Sequence, residues 1–151
     1  MDLCGKMINI FIITGEKKSG KTTYLKTLLD NSFAGIITEC VSRAERKYYF
    51  KLINSNRHLL CCYYDNGMKF NEYNFDLVND YLTEINTQNI IIDEIGWLEL
   101  EENGLYRALK LILQENKVKN LYLSMRYDIY KKLIKKFKIA NYELTDLSEI
   151  K

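Results

Sequence analysis

The sequence contains no proline, and its 151 residues include only seven glycines, four cysteines, one histidine and one tryptophan. The missing proline, beside heavy use of Lys, Asn and Ile, reads as a compositional bias that carries no chemistry. Cys4, Cys40, Cys61 and Cys62 form no C-x-x-C pair and no Cys/His ligand spacing. No apolar leader points to an oxidising compartment, so the expectation is a cytoplasmic protein with reduced thiols. Long apolar runs are also missing. The longest, Met7–Ile13, is far short of the roughly 20 residues of a membrane span. Nor is one sign of charge in excess: 22 Lys+Arg against 20 Asp+Glu leave a net +2. That is too little to make nucleic acid or an anionic membrane the default partner.

What is present is the balance of a globular domain. Hydrophobic residues make up 47% and charged residues 28%, and a chain of this length buries roughly 68–70% of its unfolded surface. Disorder and collagen-like structure are excluded. No repeat, linker or low-complexity stretch divides the chain, which predicts one domain over residues 1–151.

Periodicity supplies the elements. Met7–Ile13 is a continuous apolar run ending at Thr14-Gly15, as in a central parallel strand buried on both faces. Leu25, Leu28 and Leu29 predict a helix over Thr22–Leu29, and Ala34–Thr38 reads as a second buried strand. Lys47–Ile53 and Arg57–Tyr64 are strand-like, and Asn66-Gly67 is a strong hairpin signal, so residues 46–70 predict an antiparallel hairpin insertion. A helix over Tyr73–Ile85, a strand at Asn89–Asp93, a helix through Leu105–Leu113 and a strand at Asn120–Met125 follow. A last helix carries Ile129, Leu133, Ile134 and Phe137 with Asp128 as its expected cap, and Tyr142–Leu144 reads as a short final strand. Strands alternating with helices predict the α/β class: a mostly parallel sheet covered on both faces, with ligands gathering at the carboxyl ends of its strands.

Gly15-Glu16-Lys17-Lys18-Ser19-Gly20-Lys21-Thr22 matches G-x-x-x-x-G-K-[ST] between a predicted strand and a predicted helix, the context this motif requires. Such a loop holds polyphosphate: backbone N–H groups point into its concavity, the helix N-terminus adds partial positive charge, and glycines permit the tight path. The expected nucleotide-binding set is therefore Gly15 to Thr22 with Thr23. Lys21 would reach the β- and γ-phosphates, and the Thr22 hydroxyl would ligate Mg²⁺. Ile90-Ile91-Ile92 runs into Asp93-Glu94. Asp93, at a strand end beside the phosphate loop, is placed to hold Mg²⁺, which keeps several waters and takes few protein ligands. Glu94 is placed to orient and deprotonate a water aimed at the γ-phosphorus, which favours hydrolysis over simple nucleotide binding.

These segments resemble the small P-loop nucleoside-triphosphatases first described in thermophiles. The resemblance is carried by Ile13-Thr14-Gly15-Glu16 leading into Gly20-Lys21-Thr22-Thr23, by Gly35-Ile36-Ile37-Thr38-Glu39, by Asp93-Glu94-Ile95-Gly96-Trp97-Leu98-Glu99-Leu100, and by Met125-Arg126, in that order. It implies a RecA-like P-loop core, Mg²⁺ dependence, and slow hydrolysis of ATP, GTP and related nucleotides. The family usually has Pro-Gly where this sequence has Lys17-Lys18, so a position that commonly uses glycine must accept a lysine. The family's arginine after the Thr-Glu pair aligns with Ser42, and Arg43 falls one residue late, so no arginine role is carried over in that loop.

Arg126 follows a predicted strand end, where a guanidinium can contact the γ-phosphate; a surface salt bridge is the alternative. Glu39 ends the second strand, where a carboxylate can position water or magnesium; an ordinary charged strand end is the favoured alternative. Trp97 is read as packed rather than stacked on a base. Lys131, Lys132, Lys135, Lys136 and Lys138 read as the solvated face of an amphipathic helix. His58 has no ligand set nearby, and Cys61 and Cys62, adjacent in a strand, should point to opposite faces.

Nucleoside-triphosphate hydrolysis is thus the leading expectation. A nucleotide or nucleoside kinase would use the same phosphate site but needs an acceptor pocket, and no Arg-rich lid segment is visible in the sequence. A partner-regulated nucleotide switch is the third reading. The base, the physiological role and any protein partner are not legible.

Overall fold

The computed structural model describes residues 7–16, 18–115 and 117–149. Lys17 and Cys4 lie outside the described residues. Among the described residues, eight strands form one sheet: β1 (Asn9–Gly15), β2 (Phe33–Ser42), β3 (Lys47–Leu52), β4 (His58–Tyr64), β5 (Met68–Phe70), β6 (Asn89–Ile95), β7 (Asn120–Arg126) and β8 (Glu143–Asp146). Their order is β5-β4-β3-β2-β6-β7-β1-β8. Every pairing from β2 through β8 is parallel, while β2–β3, β3–β4 and β4–β5 are antiparallel. The described residues also form the α-helices α1 (Lys21–Lys26), α2 (Glu72–Glu84), α3 (Trp97–Leu100), α4 (Tyr106–Glu115) and α5 (Tyr130–Lys136).

The apolar runs form strands buried on both faces. Ile12, Ile36, Ile90 and Ile92 belong to the larger core cluster, which Val78 and Leu82 of α2 and Leu109 of α4 complete. Ile13, Ile37 and Ile91, alternating with them, belong to the smaller one with Leu25 of α1. Each strand thus feeds both layers with its period of two. Gly35 is where β2 and β6 come too close for a side chain: its φ is 119°, and a Cβ there would fall 1.9 Å from the Ile91 carbonyl oxygen.

Several boundaries differ from the sequence reading. β1 runs two residues later than expected, because its ladder with β7 continues through Gly15 opposite Arg126, whereas Met7 is exposed. α1 ends at Lys26 instead of Leu29; the amides of Thr27 and Leu28 bond carbonyls only three residues back, which tightens and ends the helix. β2 is longer than Ala34–Thr38 and pairs with β6 over its first half and β3 over its second. The antiparallel segment is therefore a continuation of the main sheet, with Asn66 and Gly67 both at positive φ in the β4–β5 turn. Asp128 does not cap α5; Ile129 precedes the helix without a side-chain cap, and Asp128 pairs with Arg126 at 3.2 Å.

Cys61 and Cys62 do not point to opposite faces. Tyr48 pairs with Cys62 but Tyr49 with Leu60, so Cys61 is the extra residue of a β-bulge. Both thiols are buried in the larger core cluster and line the same cavity, because a bulge interrupts the alternation that the sequence reading relied on. Among the described residues, no helix is long and apolar enough to cross a membrane.

Candidate active site

The carboxyl ends of β1, β6 and β7 meet at one place. β7 stands between β1 and β6, so the acid of β6 and the loop after β1 face each other across one intervening strand. The loop after β1 curls tightly. The Ser19 amide donates to the Glu16 carbonyl at 3.0 Å, and a Cβ on Gly15 would fall 2.3 Å from the Ser19 hydroxyl oxygen. Gly20 precedes α1 at φ 96°, and Lys18 occupies the left-handed region at φ 63°. The lysine at the position where the resembling family has glycine does adopt the conformation that glycine favours, at a strain of about 1–2 kcal/mol.

Lys21 folds back over this loop. Its buried ammonium donates to the carbonyl oxygens of Glu16 at 2.9 Å and Gly15 at 3.3 Å. Burial lowers its pKa, opposed by the negative charges of Glu94 and Asp93. Thr22, the second residue of α1, donates its hydroxyl to Asp93 Oδ2 at 2.8 Å. Thr23 lies exposed on the same turn.

Asp93 is buried, and its other bonds come from the Thr38 amide at 3.1 Å and the Ser124 hydroxyl at Oδ1. Burial pushes its pKa up, while the hydrogen bonds from Ser124, Thr38 and Thr22 and the charge of Lys21 work in the other direction. Ser124 also accepts the Glu94 amide at 2.6 Å, so one hydroxyl of β7 holds both members of the acidic pair. Ile92 pairs with Leu123 and Ile95 with Met125, which leaves one extra residue in β6. In that bulge Glu94 adopts φ 61°. Its side chain is exposed where Asp93 is buried, so the bulge separates two consecutive carboxylates by environment.

Glu94 lines a cavity of about 350 Å³ together with Lys18, Lys21 and Arg126. Arg126, at the end of β7, keeps its ion pair with Asp128. Trp97 is not packed as the sequence reading had it: it is 50% exposed at the edge of this cavity, and the Lys132 ammonium lies 5.3 Å from its ring centroid. The basic face of α5 is partly engaged in this way, and Lys136 pairs with Glu102 at 2.6 Å. Glu39 stands apart from the phosphate loop, paired with Lys26 at 2.9 Å and facing His58 at 3.9 Å.

Three contributors were missed in the sequence. Ser124 and the Thr38 amide gave no local signal, because their role exists only when β7 and β2 flank β6. Glu99 did have one. Gly96-x-x-Glu99 has the spacing of a capping box, and the buried Glu99 carboxylate accepts the Gly96 amide at 2.7 Å and the Leu105 amide at 2.8 Å. It ties α3 to the start of α4, and burial raises its pKa.

A family model described as NTPase matches residues 10–149. The chain belongs to this NTPase family. Its fold is that of a solved P-loop protein: THEP1 from the hyperthermophile Aquifex aeolicus superposes with a TM-score of 0.70 at 22% identity, over 91% of this chain and 89% of that one. No curated protein matches the chain. Membership makes the protein a nucleoside-triphosphatase in the general sense of a hydrolase with a nucleotide substrate, on an α/β domain with a mostly parallel sheet.

Proposed function

We propose that this NTPase cleaves the β–γ anhydride bond of a nucleoside triphosphate with water as the attacking group. The observation that carries the reading is the 2.8 Å bond from Thr22 to Asp93. It joins the phosphate loop to the acid of β6 and leaves Lys21 and Glu94 on one cavity wall.

In this reading the loop amides from Glu16 to Thr22 cradle the phosphates, and Lys21 exchanges its carbonyl partners for phosphate oxygens. That exchange places a buried cation where negative charge accumulates in the transition state. Thr22 and Asp93 fit Mg²⁺: a hydroxyl and a carboxylate are hard oxygen donors, in the small number used when water and phosphate complete the shell. When bound, the ion neutralises charge on the β- and γ-phosphates. Glu94 orients the water and takes its proton, while Ser124 holds the Glu94 backbone. Arg126 supplies positive charge at the γ end of the cavity.

Phosphate release from a panel of Mg²⁺-bound nucleotides tests the reading. Wild-type protein should release phosphate slowly, and Glu94→Gln should retain nucleotide affinity in calorimetry while losing roughly 10²–10⁴-fold in turnover, the usual worth of a positioned base. A protein that releases no phosphate from any nucleotide would overturn the reaction. Wild-type turnover in Glu94→Gln would overturn the role of Glu94 alone.

A further inference from the structure

The cavity behind Glu94 is larger and more aromatic than a site for water requires. Its volume of about 350 Å³ lies within the roughly 300–1,000 Å³ of small-molecule pockets. Its lining joins Lys18, Lys21, Glu94 and Arg126, from the β1, β6 and β7 side of the sheet, to Phe50, Phe70 and Phe75, from β3, β5 and the helix α2, where the β4 bulge adds its thiols. Phe75 stands edge-on to Phe50 and Phe70, with centroids 5.0 and 6.1 Å away. Phe70 and Met68 are each 42% exposed and Trp97 50%, so large apolar groups line the mouth uncovered. Among the described residues of the loop after β1, Lys18 and Lys21 reach the cavity. In the proposed hydrolysis Lys21 belongs to the γ-phosphate, so the cavity faces the transferring end of the nucleotide.

We propose that this cavity binds a nucleoside as phosphoryl acceptor, its base among the phenylalanines and Trp97 and its sugar hydroxyl at Glu94. A flat ring suits walls that offer aromatic faces and edges. The ligand must also carry a polar hydroxylated arm, because the apolar groups and the charged groups line one cavity. It is an unphosphorylated nucleoside because, among the described residues, Arg126 is the single arginine lining the cavity and is already paired with Asp128, and an acceptor phosphate calls for more such groups.

The chemistry needs no new co-reactant beyond the nucleotide and the nucleoside. The acceptor hydroxyl oxygen bonds to the γ-phosphorus as the bond from that phosphorus to the β–γ bridging oxygen breaks. The hydroxyl proton passes to the Glu94 carboxylate, and the nucleoside diphosphate leaves with the electron pair. Water then attacks when the cavity holds no acceptor. The inference rests on the proposed use of the phosphate loop and Glu94.

Trp97 is the sole tryptophan and reports directly. Adenosine, guanosine, cytidine, uridine and thymidine are titrated against its fluorescence in the full chain, with a non-hydrolysable Mg·ATP analogue saturating the phosphate site. At least one should give a saturable change, and with γ-labelled ATP the same nucleoside should take label at the expense of inorganic phosphate. Phe70→Ala, at a half-exposed position, should weaken that nucleoside roughly tenfold, the scale of one lost base–aromatic stack, with its fold checked by circular dichroism. A fluorescence response that the ATP analogue abolishes would make the cavity the donor's own base site and overturn the proposal. No response to any of the five, or a response with all label in inorganic phosphate, overturns it as well. Both of those leave hydrolysis standing, whereas failure of hydrolysis itself shows as no label released to water or nucleoside.

Discussion

The parallel and antiparallel parts of the sheet each contain a bulge beside the cavity, and the two bulges produce opposite results. In β6 the extra residue divides neighbouring carboxylates: Asp93 goes into the protein against Thr22, Thr38 and Ser124, and Glu94 goes out to the cavity. In β4 the extra residue gathers neighbours that alternation would have divided, and Cys61 and Cys62 line the cavity together. A bulge only cancels the period of two. What the cancellation yields depends on the environment either side of the strand, polar at the phosphate loop and apolar under α2. The parallel part therefore concentrates charge and hydrogen bonds, and the antiparallel part concentrates apolar contact. Substitutions in the first should act on rate, and substitutions in the second on stability or on a second ligand.

The sharpest separation is at Glu94. Glu94→Gln should cost roughly 10²–10⁴ in turnover and leave thermal unfolding near wild type, because the side chain is exposed; an unfolding midpoint that falls with the rate would break the division. Phe75→Ala should do the reverse, destabilising by about 3–5 kcal/mol in denaturant unfolding as it opens the core beside Phe50. Nucleotide affinity of the remaining folded protein should be unchanged.

Ser124→Ala crosses the two classes. It removes the partner of a buried carboxylate and of the Glu94 amide, for a loss of about 1–3 kcal/mol in stability. As Ser124 is a positioning residue, its loss should lower kcat while leaving KM near wild type, and a loss of stability with kcat unchanged would make it purely structural. The smallest effect is a gain. Lys18→Gly relieves about 1–2 kcal/mol of left-handed strain against about 0.5–1 kcal/mol of extra unfolded-state entropy. Its unfolding midpoint should rise slightly, and a fall would show that the Lys18 side chain contributes contacts that outweigh the strain.

The elements most legible in the sequence were those whose neighbours in space are also neighbours in the chain. The loop after β1 is a local device, and Gly15 to Thr22 declared a tight strand-to-helix turn through their spacing and the periodicity on either side. The isoleucine runs of β1 and β6 declared burial on both faces, and Asn66-Gly67 declared its turn. Where the reading failed, side-chain geometry that composition does not carry had intervened. Asp128 had the composition of a cap, but Arg126 took its carboxylate. Trp97 had the composition of a core residue, but α3 ends up at the cavity mouth, held by Glu99 to the start of α4.

The sequence by itself determined that a G-x-x-x-x-G-K-T loop follows a buried strand, and that an acidic pair ends another. Both follow from residue type and local periodicity, which act within a few residues. Only the tertiary structure decided that β7 lies between those strands and lends Ser124 to both acids. It alone placed three phenylalanines from β3, β5 and α2 around a cavity that opens on Glu94. Strand order and bulge position are set by packing among segments far apart in the chain, and a one-residue irregularity in a ladder leaves no mark in local composition.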